Sequence, residues 1–467
     1  MQEKQKDEMR PFSARDKVGY MFGDFANDFT FVFANLFLMK FYTDIMDVSA
    51  VIVGAMMMVV KFVDAFTDVT MGQIVDRSPQ TNKGKFAPWL RRMAGPVALA
   101  SFLMYAVWFR NMPMGFKIFW MFFTYLLWGS ICYTGANIPY GSMASAITSE
   151  PKERAELSKF RTIGASLASI VIGVVFPLTV YYTNENGNKV LSASKLCIAS
   201  GICSIAAFVC YMLCYRLTTE RIRITKKTEK FNLKDLVSGW IKSPGLIAVV
   251  CYTIFLGIAT NTLSGMATYI YPNYFGNTKA QSLSTLIGIL ITLFCAVFVI
   301  KLSTRLGRKK LAVIASIFSS IVMFSAFFIH THNAWIFVAL YGIAYAGYGM
   351  ISLINWAIIG DVIDAAELKT GKREDGNIYS LYSFSRKMSQ SFASGIIGLM
   401  LTAIGYKAET AFDASVVNGI YNITCLIPAI AFLIVALIMH FIYPLDKKIV
   451  EENAEKLKKI HENMEEK

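Results

Sequence analysis

The chain has 467 residues, 55% of them hydrophobic and 17% charged, with a mean hydropathy of +0.46. That balance excludes an ordinary water-soluble domain and is the composition of a membrane protein. The net charge of +14 is not gathered into one patch, so no nucleic-acid partner is expected, and eight cysteines without a CxxC pair and four histidines without metal-ligand spacing argue against a metal-centred enzyme.

Residues 1–16, MQEKQKDEMRPFSARD, lack the apolar core and cleavage site of a signal peptide and are expected to stay in the cytoplasm. From Lys17 to Pro444 apolar runs recur at lengths of about 20 residues or more, each enough to cross a hydrocarbon core of about 30 Å as a helix. The connections alternate in charge. DRSPQTNKGKFAPWLRR, EPKERAELSKFR, STRLGRKK and LKTGKREDG are basic or mixed, whereas TDIMDVS, RNMPM, NENGNK, GNTKAQS, HTHNA and GYKAETAFD carry few cations. Cations held on the cytoplasmic side then predict about twelve spans of a multi-pass cell-membrane protein with both termini inside. A polar stretch, residues 218–243, divides a first six-helix bundle, 17–217, from a second, 244–444, and residues 445–467 form a cytoplasmic tail. Two related halves are the layout of a transporter working in the lipid bilayer.

The first span, GDFANDFTFVFANLFLMKFY, places Asp24 and Asp28 one helical step apart, with Asn27 beside Asp28. The second carries Asp64 and Asp68, which share one face of the helix about a turn apart. Buried carboxylates cost roughly 2.5 to 3.5 kcal/mol each near a bilayer centre on insertion scales, so something must offset them. Three readings compete: an ion pair with Lys61 or with a basic residue of another helix, a pair of proton-titrating acids, and an oxygen cage for a small cation. The fourth span adds Thr134 and Asn137, three residues apart, with Pro139 loosening the backbone ladder. Thr134 offers a neutral oxygen to a cation, or else bonds back to its own helix. Arg161 opens the apolar part of the fifth span, and the eleventh contains Arg386 and Lys387, which point about 100° apart, so only one of the two is expected to face a cavity. Between the second and third spans of each half lies a short basic turn with glycine: Asp76, Arg77 and Lys85 belong to the first, Arg305 and Arg308 to the second. These turns are expected to hold the cytoplasmic side shut when the site opens outward, the competing reading being that their cations only set topology.

The stretches YTDIMDVSAVIVG, VDAFTDVTMGQIVD, GKFAPW, NIPYGSMASAIT, ERAELSKFR and NWAIIGDVIDAAELKTGKREDGNIYSLYSFSRK resemble the glycoside–pentoside–hexuronide:cation symporters of the major facilitator superfamily, the family of the melibiose carrier. The resemblance implies an all-α membrane fold of twelve transmembrane helices in two six-helix bundles, and sugar uptake driven by Na+, H+ or Li+ with no other cofactor. It implies a coupling cation on Asp64, Asp68 and Thr134, with Thr67 at a neighbouring position, and a sugar held by Asp28, Arg161 and Lys387.

The departures from the melibiose carrier fall on sugar-site and cation-site positions. Asn137 stands where that carrier has an aspartate, Gly141 and Ser352 where it has tryptophans, Asn27 where it has a lysine and Thr67 where it has an asparagine. NIPYGS, Asn355 with Trp356, and FSRK resemble the branch that includes glucuronide and sulfosugar carriers. Asn27, Asn137 and Trp356 are therefore added to the expected sugar-binding set, and the loss of one acid beside retained cations favours an anionic sugar, because a desolvated carboxylate needs a cationic partner. The expected function is secondary symport of a sugar or glycoside by a protein acting as a monomer, with a hexuronide as the favoured substrate and a neutral glycoside or pentoside as the alternative. A different class, a membrane-embedded enzyme or flippase using Asp64 and Asp68 as general acid and base, lacks a nucleophile or metal in the sequence.

Overall fold

The computed structural model describes residues 10–222, 243–370 and 375–465, so most of the connection expected at 218–243 lies outside the described residues. Twelve long helices follow one another: α1 (Ala14–Asp44), α2 (Ala50–Asp76), α3 (Ala87–Leu103), α4 (Met114–Ile147), α5 (Pro151–Thr179), α6 (Ala193–Leu217), α7 (Pro244–Tyr274), α8 (Thr278–Leu306), α9 (Arg308–Ile329), α10 (Ala334–Thr370), α11 (Asp375–Ala403) and α12 (Ala414–Ile442). A shorter helix, α13 (Lys447–Glu465), follows them. Among the described residues the only strands are a hairpin between α5 and α6, β1 (Tyr181–Thr183) and β2 (Lys189–Leu191), paired antiparallel with Tyr181 opposite Leu191. Ten of the twelve helices carry a continuous apolar stretch long enough to cross a bilayer. The exceptions, α1 and α11, are the helices that carry Asp24, Asn27 and Asp28 and Arg386 and Lys387.

Local chemistry sets the helix ends. Pro151 and Pro244 stand at the first position of α5 and α7, where the missing N–H has no intrahelical partner to lose. Between α8 and α9 the chain turns at Gly307, whose φ of +81° is open to glycine and strained for other residues. The surface is inverted relative to a soluble protein. Leu293, Val297 and Ile300 on α8, and Phe328 and Phe441 elsewhere, are exposed apolar side chains, as a lipid-facing surface requires.

The chain divides into two compact units. The first comprises Met1–Glu229 with Gly276–Ser282 and Ile397–Val416; the second comprises Lys230–Phe275, Leu283–Ile396 and Val417–Lys467. Within the first, one end of the helices is tied by charge. Asp16 is fully buried and takes ion pairs from Arg10 at 2.8 Å and Arg221 at 2.9 Å. Arg221 also donates to the carbonyls of Arg10, Pro11, Thr219 and Ile147, which joins the start of α1, the end of α4 and the segment after α6. Next to it Glu220 accepts from the backbone N–H groups of Lys85, Phe86 and Ala87 at 2.7, 2.9 and 2.5 Å. These amides open α3, where unpaired donors and the positive end of the helix dipole favour a carboxylate. Gly84, at φ +105°, lets the carboxylate approach, since a Cβ there would fall 2.3 Å from Glu220 Cδ. Burial nonetheless pushes the Glu220 carboxyl above its ordinary value, against the pull of the three amides and Lys85.

Glu220→Ala is accordingly expected to lower the stability of the protein in detergent by about 1 to 3 kcal/mol, because three buried N–H groups lose their acceptor. Glu220→Gln keeps an oxygen for two of them but sets an NH2 against the third, so it should melt between Glu220→Ala and the wild type. Equal melting temperatures for all three proteins would show that this contact contributes nothing.

Candidate functional site

α2 places Asp64 and Asp68 four residues apart, and the structure sets both against α4. The hydroxyl of Ser130 donates a hydrogen bond to Asp64, and that of Thr134 donates to Asp68 at 2.9 Å. Both pairs are separated by 66 residues, as two helices that run the same way in register require. The reason the hydroxyls arrive there is local. Residues Leu127–Tyr133 of α4 form a π-helical turn, which inserts an extra residue and re-aims the side chains around it. Gly129 within that turn faces the Asp64 carboxylate, and a Cβ on it would make an ordinary van der Waals contact 3.4 Å from Asp64 Oδ2. The Thr134 hydroxyl also lies 3.0 Å from the Gly129 carbonyl of its own helix, so its single proton is shared between that carbonyl and Asp68. Thr67 spends its hydroxyl on the Asp64 carbonyl at 3.2 Å. Lys61, one turn before Asp64, has its ammonium 3.7 Å from Asp64 Oδ2. Asp64 and Lys61 are buried and Asp68 and Thr67 half-buried.

A second cluster in the same unit gathers the first span's polar groups. Asn27 Nδ2 donates to Asn137 Oδ1 at 3.3 Å, and the Tyr211 hydroxyl donates to Asn27 Oδ1 at 2.5 Å. Arg161 pairs with Asp24 at 3.0 Å, not with Asp28, and its guanidinium lies over the Tyr140 ring. Tyr140 in turn stacks on Tyr20 and donates to the Tyr20 carbonyl at 2.8 Å. Gly23 makes room for this ring, since a Cβ there would lie 2.1 Å from it. Asp28 is half-buried on the next turn of α1. The cluster thus brings together Asn27, Asn137, Arg161 and Asp24, and its one cation, Arg161, is balanced by Asp24.

The second unit holds a cavity of about 350 Å³, lined by residues of α7, α10 and α11 that include Thr253, Asn261, Tyr348, Ser352, Trp356 and Arg386. Asn355 at its wall is fixed from two sides, accepting from the Tyr252 hydroxyl and donating to Tyr382 Oη at 2.7 Å. Trp356 stands half-exposed with its ring stacked on Tyr379 and edge-on to Tyr382. Of the adjacent pair on α11, Arg386 lines this cavity and Lys387 does not. No carboxylate among the described residues forms an ion pair with Arg386.

The two basic turns are built from different partners. In the first, Lys85 Nζ donates to the Asp76 carbonyl at 2.7 Å and lies 3.6 Å from its carboxylate, while Arg77 is exposed. In the second, Arg308 pairs with Asp361 of α10 and reaches the Ala357 carbonyl at 3.3 Å, Lys309 pairs with Asp446 at 3.4 Å, and Arg305 is exposed. Sequence reasoning missed Ser130, whose only signal is its place four residues before Thr134. It also missed Glu220, a lone acid in a basic stretch, and the buried Lys40, which pairs with Asp44 at 3.0 Å and donates to Tyr406 at 3.2 Å.

Twelve spans in two bundles, with carboxylates, amides and guanidinium groups placed along their interior, define a multi-pass membrane transporter of the major facilitator fold. The family model for MFS/sugar transport proteins matches residues 19–447, and the chain belongs to that family. It is a transporter of the glycoside–pentoside–hexuronide group, not an enzyme. It is 32% identical over 439 residues to the uncharacterized symporter YjmB of Bacillus subtilis (strain 168), with 93% of each chain covered. It is 30% identical to the glucuronide carrier protein homolog of Escherichia coli (strain K12), with 94% of each covered. Among solved structures, a bacterial homolog of the human lysosomal transporter Spinster superposes with a TM-score of 0.69 at 9% identity, covering 95% of this chain and 99% of that one, which shows the shared fold alone.

Proposed function

We propose that the protein is a symporter that takes up a glycoside with a carboxylate, a hexuronide, together with one small cation, Na+ or H+, by alternating access in the cell membrane with both termini in the cytoplasm. The observation that carries the coupling is the pair of rungs between α2 and α4, Ser130 on Asp64 and Thr134 on Asp68. Two carboxylates with two hydroxyls form an all-oxygen shell of the kind hard cations take, and the same carboxylates accept protons if the ion is H+. Once the cation has neutralised part of that charge, a sugar docks more readily, and by linkage the sugar raises the affinity for the cation. The Asn27, Asn137, Asp28, Arg161 cluster and the Arg386, Trp356 cavity supply hydrogen-bonding, charged and stacking groups of the types that hold a sugar ring. Lys387 on α11 is kept in that sugar-binding set as a proposal. The turns at Asp76, Arg77 and Lys85 and at Arg305 and Arg308 act as cytoplasmic closures in this reading.

Preference for an anion rests on Arg386. Arg161 is already balanced by Asp24, and Asn137 contributes no charge, so the cavity cation facing a substrate carboxylate is Arg386. The relative described as a glucuronide carrier homolog is in keeping with that choice. A neutral glycoside or pentoside is the competing substrate class.

Two measurements on protein reconstituted in liposomes decide these points. Asp64→Asn and Asp68→Asn are each expected to abolish gradient-driven accumulation of sugar while leaving insertion intact, and uphill uptake surviving in both would remove the cation site. A charged hydrogen bond is worth roughly 1.5 to 3 kcal/mol, or about ten- to a hundredfold in affinity. A glucuronide should therefore outcompete the matching glucoside by that factor, with the preference lost in Arg386→Gln and erased in Asn137→Asp. Equal competition, or a neutral pentoside winning, would overturn the hexuronide reading and leave symport standing.

A further inference from the structure

Lys61 has no place in the oxygen shell described above, yet it is buried in the membrane beside it. It shares the face of α2 that carries the acids, since residues 61, 64 and 68 follow the i, i+3, i+7 pattern. Its ammonium is 3.7 Å from Asp64 Oδ2, longer than a hydrogen bond, while the hydrogen bond to Asp64 comes from Ser130. The lysine is held by other means. Its Nζ lies 4.8 Å from the centre of the Phe31 ring, 5.8 Å from Trp128 and 6.0 Å from Tyr125, three ring faces drawn from α1 and α4. Ring faces carry negative charge density and replace water around a desolvated ammonium, as aromatic cages do for cationic ligands. Trp128 is buried with its Nε1 meeting no acceptor among the described residues, so this indole is kept in place for its face and bulk, not for its N–H.

We propose that Lys61 is a resident counter-ion of the cation site, a tethered ammonium that balances Asp64 while the site is empty and that the coupling cation must displace from it. The proposal rests on the reading of Asp64 and Asp68 as the coupling site. An ammonium locked to a carboxylate by hydrogen bonds would be a structural pin, whereas one parked at ion-pair distance in an aromatic cage yields the carboxylate and remains solvated by the rings. Lys61 therefore sets the weakness with which the cation binds, and it lets the ion leave again once the sugar has gone. The ring trio makes this possible, because the displaced ammonium has nowhere aqueous to go in the middle of a helix bundle.

The test is cation dependence of sugar binding in Lys61→Met, which keeps the length of the side chain and removes its charge. With the competitor gone, the Na+ concentration giving half-maximal sugar binding should fall about tenfold or more; if protons are the coupling ion, the pH of half-maximal binding should rise by about one unit, the same factor. Lys61→Arg keeps the charge and should stay near the wild type. In an Asp64→Asn background Lys61→Met should no longer change the cation dependence, because the two residues act on one another. Unchanged or weakened cation dependence in Lys61→Met would overturn the proposal even where Asp64→Asn abolishes accumulation, while accumulation surviving in Asp64→Asn and Asp68→Asn would instead remove the site itself. Lys61→Gln gives a second neutral variant. If neither Met nor Gln at this position yields protein that binds sugar at any cation concentration, Lys61 is a folding residue and the proposal is likewise overturned.

Discussion

Two carboxylates cannot stay ionised side by side in a helix bundle within a bilayer without partners, and the architecture of the first unit follows from that constraint. The π-helical turn of α4 and the hydroxyls of Ser130 and Thr134 bring polar groups to Asp64 and Asp68. A regular α-helix through residues 127–133 would aim those hydroxyls elsewhere. Lys61, 3.7 Å from Asp64 Oδ2 and set among three aromatic rings, brings an opposite charge to the same carboxylate. Polar groups are thus concentrated around the α2 acids, at a desolvation cost that an ordinary scaffold has no reason to bear.

Elsewhere charge is managed more cheaply. Asp16 with Arg10 and Arg221, and Glu220 on the first amides of α3, lie at helix ends, where unpaired backbone groups are available as partners. Arg308 with Asp361 does the same at the turn of the second unit. These contacts hold helix termini together. They differ from the Asp64 and Asp68 pair in place, because they lie at helix ends, whereas the α2 acids lie within a helix and take hydroxyl hydrogen bonds from Ser130 and Thr134.

Much of this was legible in the sequence because a membrane removes ambiguity: apolar runs must be helices, and a charged residue inside one must be doing something. The twelve helices and the prominence of Asp64 and Asp68 came from those two facts, whereas the family and the part given to Thr134 came from motifs such as VDAFTDVTMGQIVD and NIPYGSMASAIT, which resemble the glycoside–pentoside–hexuronide symporters. What stayed hidden depended on helix rotation. Arg386 and Lys387 are neighbours in the chain, and only the packing of α11 shows that Arg386 lines the cavity of the second unit. Likewise Asp24, not Asp28, takes Arg161, a choice made by the close packing of Tyr140 against Gly23 and Tyr20. Ser130 was invisible because a π-helical turn breaks the periodicity that sequence reading relies on. Hydropathy misses α1 and α11 for the opposite reason, since the polar groups that make them candidate binding helices dilute their apolar runs.

Coupling through a shared charge has one thermodynamic signature that neither a structural ion pair nor a passive sugar channel reproduces: reciprocity. The direct measurement is a pair of titrations on the purified protein, sugar affinity at zero and at saturating cation, and cation affinity at zero and at saturating sugar. If Asp64, Asp68 and Thr134 hold the coupling ion, the two enhancement factors are equal and well above one, about five- to a hundredfold for typical coupling energies. Sugar affinity that does not change between zero and saturating cation, for Na+, Li+ and H+ alike, would contradict the account.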